Sequence, residues 1–156
     1  MAAFTYSVYT LILALWVGGI SLFTFVLTPK IFRSYDKDAA GEIVGTLFPV
    51  YFLFTFVLSI LVLLLLPFCR SLFGQAGFYW SLVLAVIAAA INVFVFFKLH
   101  PEIRRVKQKV HSFQSLPDNA PDRKTFRKLH ALSMTLNLLL LSDGVTLLLI
   151  VTSLKR

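Results

Sequence analysis

Asp143 is the one charged residue in four long apolar stretches, 1–29, 43–69, 71–97 and 129–154. A carboxyl near the middle of such a segment costs about 2.5–3.5 kcal/mol to insert into a bilayer. It is therefore expected to face other helices, either hydrogen-bonded or protonated. Counted at 1.5 Å per residue, Asp143 lies level with Trp16, Gly18 and Gly19, where the indole N–H could donate to it and the glycines could admit a close helix. Such a group can hold a proton or a cation. With no second charge in these stretches to build a relay, a structural inter-helix hydrogen bond is the simpler reading. Asn92 and Asn137 fall at matched depths on two stretches, where side-chain amides pair or bond to backbone for about 0.6 kcal/mol on average. His100 and His130 share one level nearer the charged loops. Two facing imidazoles could ligate haem or, with Glu102, a metal. The crowding by Lys98, Arg104, Arg127 and Lys128 argues against a divalent cation. No cofactor is required by these patterns, and haem or metal on His100 and His130 stays the alternative.

The elements that must position these residues follow from the charge pattern. Only 14% of the 156 residues are charged and 58% are hydrophobic, whereas soluble domains carry about a quarter charged residues. Each apolar stretch exceeds the ~20 residues that cross a bilayer. The expected fold is an all-α integral membrane protein: a single domain, 1–156, forming a four-helix bundle with spans at about 4–28, 46–68, 76–98 and 131–153. Twelve of the fifteen Lys and Arg residues lie in 30–42 and 98–128, and the others are Arg70, Lys155 and Arg156. The positive-inside rule then places loops 29–45 and 98–130 in the cytoplasm and both termini outside, in a cytoplasmic (inner) membrane. Arg104, Arg105, Lys107, Lys109, Arg127 and Lys128 would meet anionic lipid headgroups. Topology accounts for the basic loop, so nucleic acid is not an expected partner.

Within this frame Pro29 is expected to stop the first span. Ala39/Ala40, Ile43/Val44 and Leu47/Phe48 recur every four residues behind Asp36, which predicts a short amphipathic cytoplasmic helix ending at a bend at Pro49. Ile103, Val106, Val110 and Phe113 form a heptad-like seam. With Pro121 at a helix start, this predicts that helices 3 and 4 extend beyond the membrane as a helical hairpin. His111 reads as a solvated loop residue. No catalytic motif such as GxSxG, a P-loop or HExxH occurs, so an enzyme is not expected. The 16 Phe, 5 Tyr and 2 Trp read as packing, with Tyr and Trp at membrane interfaces.

Two stretches resemble a known family. Gly45-Thr-Leu47-Phe48-Pro49-Val-Tyr51-Phe52 is similar to the L-F-P-x-Y-F signature of the transmembrane protein 205-like family. Phe126-x-x-x-His130-x-Leu132-Ser133-x-x-x-Asn137-Leu138 resembles that family's motif at its last span, and Trp16-Val-Gly18-Gly19 with Phe23, Phe25, Pro29 and Phe32 its first span. The resemblance implies a four-helix multi-pass protein, bacterial members being a domain of unknown function, and a vertebrate relative linked to platinum-drug resistance. It also implies His130, Ser133 and Asn137 as motif residues, and these share one helical face. The vertebrate motif has a cysteine before the asparagine. Here that place is Leu136, and Cys69, Met1 and Met134 are the only soft ligands, which argues against thiol capture of platinum.

The resulting expectation is a polar pocket at the cytoplasmic side of the bundle. Spans 1, 3 and 4 and the Pro49 bend would form it, and His130, Ser133, Asn137, Asn92, Asp143, Trp16, Pro49 and Tyr51 are the candidate residues. It would bind or transport a small molecule or ion. A haem or metal redox protein and a non-catalytic scaffold for lipid or protein partners are the competing classes, and a homo-oligomer is compatible with each.

Overall fold

A computed structural model describes residues 2–110, 117 and 119–153. Four helices dominate it, each long and apolar enough to cross a membrane: α1 (Phe4–Ser34), α2 (Lys37–Ser71), α3 (Gln75–Lys109) and α4 (Pro121–Ser153). They run alternately up and down. Each packs against its two neighbours in sequence, and α1 against α4 closes the ring. The end holding the α1–α2 turn and the α3–α4 connection carries most of the Lys and Arg, and is termed the basic end below.

The core follows helical spacing. On α1, Tyr9, Leu13, Trp16, Ile20 and Phe23 step by four and three and are buried, as one inward stripe requires. On α4 the matching stripe is Ser133, Leu140, Asp143, Gly144, Leu147 and Val151. Ser81, Ala85, Ala88 and Ala89 give α3 a small-residue inner face, which lets helices approach closely. The outer faces are apolar as well, with Leu11, Val50, Leu64 and Leu149 each more than half exposed.

Pro29 does not end the first helix. The turn Leu22–Leu27 is a π-turn, in which the Thr28 N–H reaches back five residues to the Phe23 carbonyl. Proline's ring ordinarily strikes the carbonyl four residues earlier. The extra residue in this turn moves that carbonyl aside, so the helix continues to Ser34. The same device precedes Pro101: Val95–Leu99 is a second π-turn, closed from the His100 N–H to the Val95 carbonyl. It lets α3 run on to Lys109.

Pro49 likewise lies inside a continuous helix, Lys37–Leu65. The separate amphipathic helix expected before it is the first part of α2. Its start is as expected, since the Asp36 carboxylate accepts from the backbone N–H groups of Asp38 and Ala39 at 3.0 and 2.9 Å. At its far end α2 tightens into a 3-10 segment, Leu66–Leu72. The helical extensions of α3 and α4 at the basic end are present, and Ile103, Val106 and Val110 of the expected seam are buried. Phe113 and His111 lie outside the described residues.

Candidate functional site

Near the basic end α1, α2 and α4 enclose a cleft of about 120 Å³. From α1 it is lined by Phe23, Thr24 and Thr28, from α2 by Phe48, Tyr51 and Phe52, and from α4 by His130, Ser133, Met134 and Asn137. Local structure explains each contribution. The π-turn Leu22–Leu27 holds Phe23 and Thr24, and such turns redirect side chains by adding one residue to the helical count. On α4, His130, Ser133 and Asn137 are three and four residues apart and share one face.

Asn137 ties the three helices together. Its Oδ1 accepts a short hydrogen bond from the Tyr51 hydroxyl. Its Nδ2 donates to Thr24 Oγ1 at 2.8 Å. The Tyr51 ring is in turn stacked on Phe23, with centroids 4.1 Å apart and planes 13° from parallel. Phe48 and Phe52 stack beside it at 5.4 Å. The His130 ring lies parallel to that of Phe126 at 5.7 Å. The cleft thus has an aromatic wall on α2 and a polar wall on α4. Among the described residues, its lining holds no Asp, Glu, Lys or Arg.

The sequence-derived candidates divide into those this cleft gathers and those it does not. His130, Ser133, Asn137 and Tyr51 line it together. Pro49 is within α2 near them but does not line the cleft. Asn92 points elsewhere: its Nδ2 donates to the Ala88 carbonyl of its own helix at 3.1 Å. With it α3 drops out of the lining, which leaves α1, α4 and the segment of α2 around Pro49 from the expected elements. Trp16 and Asp143 sit farther along α1 and α4, outside the cleft.

No Trp16–Asp143 hydrogen bond forms. Trp16 Nε1 and Asp143 Oδ2 are both buried without a partner among the described residues. Close approach of α1 and α4 uses Gly144, where an added Cβ would stand 2.9 Å from Val17 Cγ2 and 3.4 Å from the Trp16 ring. Gly19 faces the Phe54 ring instead, and Gly18 has open space beside it.

His100 meets the edge of Phe52 at 5.1 Å, and Phe52 also lines the cleft that holds His130. Among the described residues, no three His, Cys, Asp or Glu side chains converge as a metal centre. Of the expected headgroup contacts, Arg104, Arg105, Lys109, Arg127 and Lys128 are exposed. Lys107 turns back and donates to the Gly41 carbonyl on α2. Gly45 leaves room for it, since a Cβ there would lie 2.7 Å from Lys107 Nζ.

Thr24 and Thr28 were absent from the sequence-derived set. Their signal was present: two hydroxyls four residues apart in an apolar stretch mark one helical face.

Residues 11–112 match the family model described as Domain of unknown function (DUF4149). A protein from Aquifex aeolicus (strain VF5), described as uncharacterized, is 29% identical over 141 residues, covering 89% of this chain and 92% of its own. No solved structure matches. The family match ends before α4, so His130, Ser133 and Asn137 fall beyond it.

Proposed function

We propose, for a chain that belongs to the DUF4149 family and takes no activity from that membership, that it is a multi-pass inner-membrane protein that binds and moves a small uncharged polar molecule through the cleft. The membrane reading is supported by four long apolar helices. It is supported too by an inverted surface, since large hydrophobic side chains face outward while Thr55, Ser59, Ser81, Asn92 and Asp143 are buried. The basic end is cytoplasmic by the positive-inside rule, and its exposed Arg104, Arg105, Lys109, Arg127 and Lys128 are placed to meet anionic headgroups. The narrower kinship with the transmembrane protein 205-like family is part of this proposal, resting on the motifs at 45–52 and 126–138.

The observation that carries the ligand class is the Thr24–Asn137–Tyr51 chain on the wall of a cleft with no charged residue. Hydroxyls, an amide and an imidazole can exchange hydrogen bonds with a neutral polar solute, and the aromatic wall covers its apolar side. A volume of about 120 Å³ is well under the roughly 300–1,000 Å³ of drug-sized sites. The cargo is therefore a molecule of few heavy atoms, not a bulky drug.

The test is solute flux in proteoliposomes, with a panel of small neutral alcohols, amides and ureas. Saturable flux above that of empty liposomes, lost in Asn137→Ala, is expected. Flux that Asn137→Ala leaves intact, or none for any solute, overturns the transport reading.

A further inference from the structure

A second polar site lies deeper in the bundle, away from the cleft. We propose that Asp143, with Tyr9 and Trp16, is a buried proton-binding site: its carboxyl takes up and releases a proton in exchange with water that enters between α1 and α4. This does not depend on the cleft having a cargo.

Three polar groups are stranded there. Tyr9 and Trp16 are fully buried and Asp143 is only 8% exposed. The Tyr9 hydroxyl, Trp16 Nε1 and Asp143 Oδ2 each lack a hydrogen-bond partner among the described residues. A buried polar atom without a partner costs about 1–3 kcal/mol, more if charged. Three such atoms on one helix interface would not be tolerated dry. Geometry groups them: the Trp16 ring abuts Gly144, next to Asp143, and Tyr9 lies seven residues before Trp16 on the same buried stripe of α1. Bridging water satisfies all three, because an indole N–H can only donate, a hydroxyl can do both, and a carboxylate accepts.

The donor set selects a proton over a metal cation. A hard cation requires several oxygen ligands. Here the side chains named supply one carboxyl and one phenol, too few oxygens for such a cation. A proton requires only the carboxylate: it arrives from hydronium, bonds to Oδ2 and leaves a water molecule behind.

Among the described residues, no other Asp, Glu, Lys or Arg lies in the apolar stretches of the four helices. Buried titratable groups on the other helices, away from the basic end, are Tyr9 on α1 and Cys69 at the end of α2. Tyr6, also on α1, donates to the Val151 carbonyl at 3.2 Å. On α3 the titratable residue before Lys98 is Tyr79, which is 60% exposed. Lys98, His100 and the charges that follow lie toward the basic end, as does His130 on α4 itself.

The protein reports on this site directly. Trp16 and Trp80 are its two tryptophans, and Trp80 is 59% exposed, so Trp80→Phe leaves Trp16 as the sole emitter. In nanodiscs, Trp16 emission and the infrared C=O stretch of a neutral carboxyl should change together, with one midpoint, as the pH is varied. Both changes should vanish in Asp143→Asn, which keeps the side chain's shape. Tyr9→Phe, which removes the stranded hydroxyl and keeps the ring, should move the midpoint. Emission that ignores pH, a carboxyl band that never exchanges with deuterium, or a titration surviving in Asp143→Asn overturns the site. A transition that follows sodium concentration at fixed pH overturns it in favour of a cation.

Discussion

Replacing Asn137 with alanine tests whether one amide joins three helices. The change removes the acceptor of the Tyr51 hydroxyl and the donor to Thr24. Inter-helix hydrogen bonds in membrane bundles average about 0.6 kcal/mol each, so the two together contribute about 1.2. Tyr51 is only 8% exposed, and a buried hydroxyl left without a partner adds about 1–3 kcal/mol. The expected loss is therefore about 2–4 kcal/mol, a roughly 30- to 700-fold fall in the folding equilibrium at 1.4 kcal/mol per decade. Tyr51→Phe behaves differently. It deletes one bond, strands no hydroxyl and keeps the ring stacked on Phe23, so it should cost only about 0.6 kcal/mol. Adding Tyr51→Phe to Asn137→Ala should then recover about 1 kcal/mol, because the stranded hydroxyl is gone. The assay is reversible unfolding in mixed micelles, followed by tryptophan fluorescence. Strictly additive losses, or an Asn137→Ala protein within about 0.3 kcal/mol of the parent, would refute the three-helix link.

Other substitutions probe the frame around the cleft. Lys107→Ala removes the ammonium held by the Gly41 carbonyl and should lower stability by about 1 kcal/mol. Lys109→Ala, on the exposed face, should stay within about 0.5 kcal/mol in the same unfolding assay. Gly144→Leu forces a side chain where Val17 and Trp16 already lie within 3.5 Å of the first added atom. It should cost about 1–3 kcal/mol or more by overpacking, while Gly18→Leu, with open space beside it, should be tolerated. For orientation, a reporter active only outside the cytoplasm and fused after Arg156 should be active, whereas one inserted after Asn119 should be silent. The reverse pattern would invert the topology.

How far the sequence revealed this arrangement differs from element to element. The four helices were legible because charge is confined to a few short segments, and that pattern survives any detail of packing. His130, Ser133 and Asn137 were legible as one face because helical spacing alone puts them there. Proline positions were misleading. Pro29 and Pro49 read as breaks, yet a π-turn accommodates the first and the second is enclosed in α2. A one-residue expansion of a turn leaves no mark in composition. That Asn92 and α3 stay out of the cleft was also hidden, because depth along a helix says nothing of rotation about it. Asn92 and Asn137 sit at similar depths, but Asn92 faces its own Ala88 carbonyl while Tyr51 and Thr24 reach Asn137 from α2 and α1. Likewise the Trp16 ring packs against Gly144, next to Asp143, without a Trp16–Asp143 hydrogen bond.

The central claim is that α1, α2 and α4 enclose a cleft that a small molecule can enter from water. Thiol modification tests it most directly, because the reactive thiolate forms only where water reaches. In a Cys69→Ala background, which removes the single native cysteine, Thr28→Cys places a thiol on the cleft wall. Leu147→Cys, at a position 1% exposed in the bundle core, is the matched control. In membrane vesicles, methyl methanethiosulfonate should modify Thr28→Cys rapidly and leave Leu147→Cys untouched. A Thr28→Cys protein as inert as the Leu147→Cys control would contradict the account.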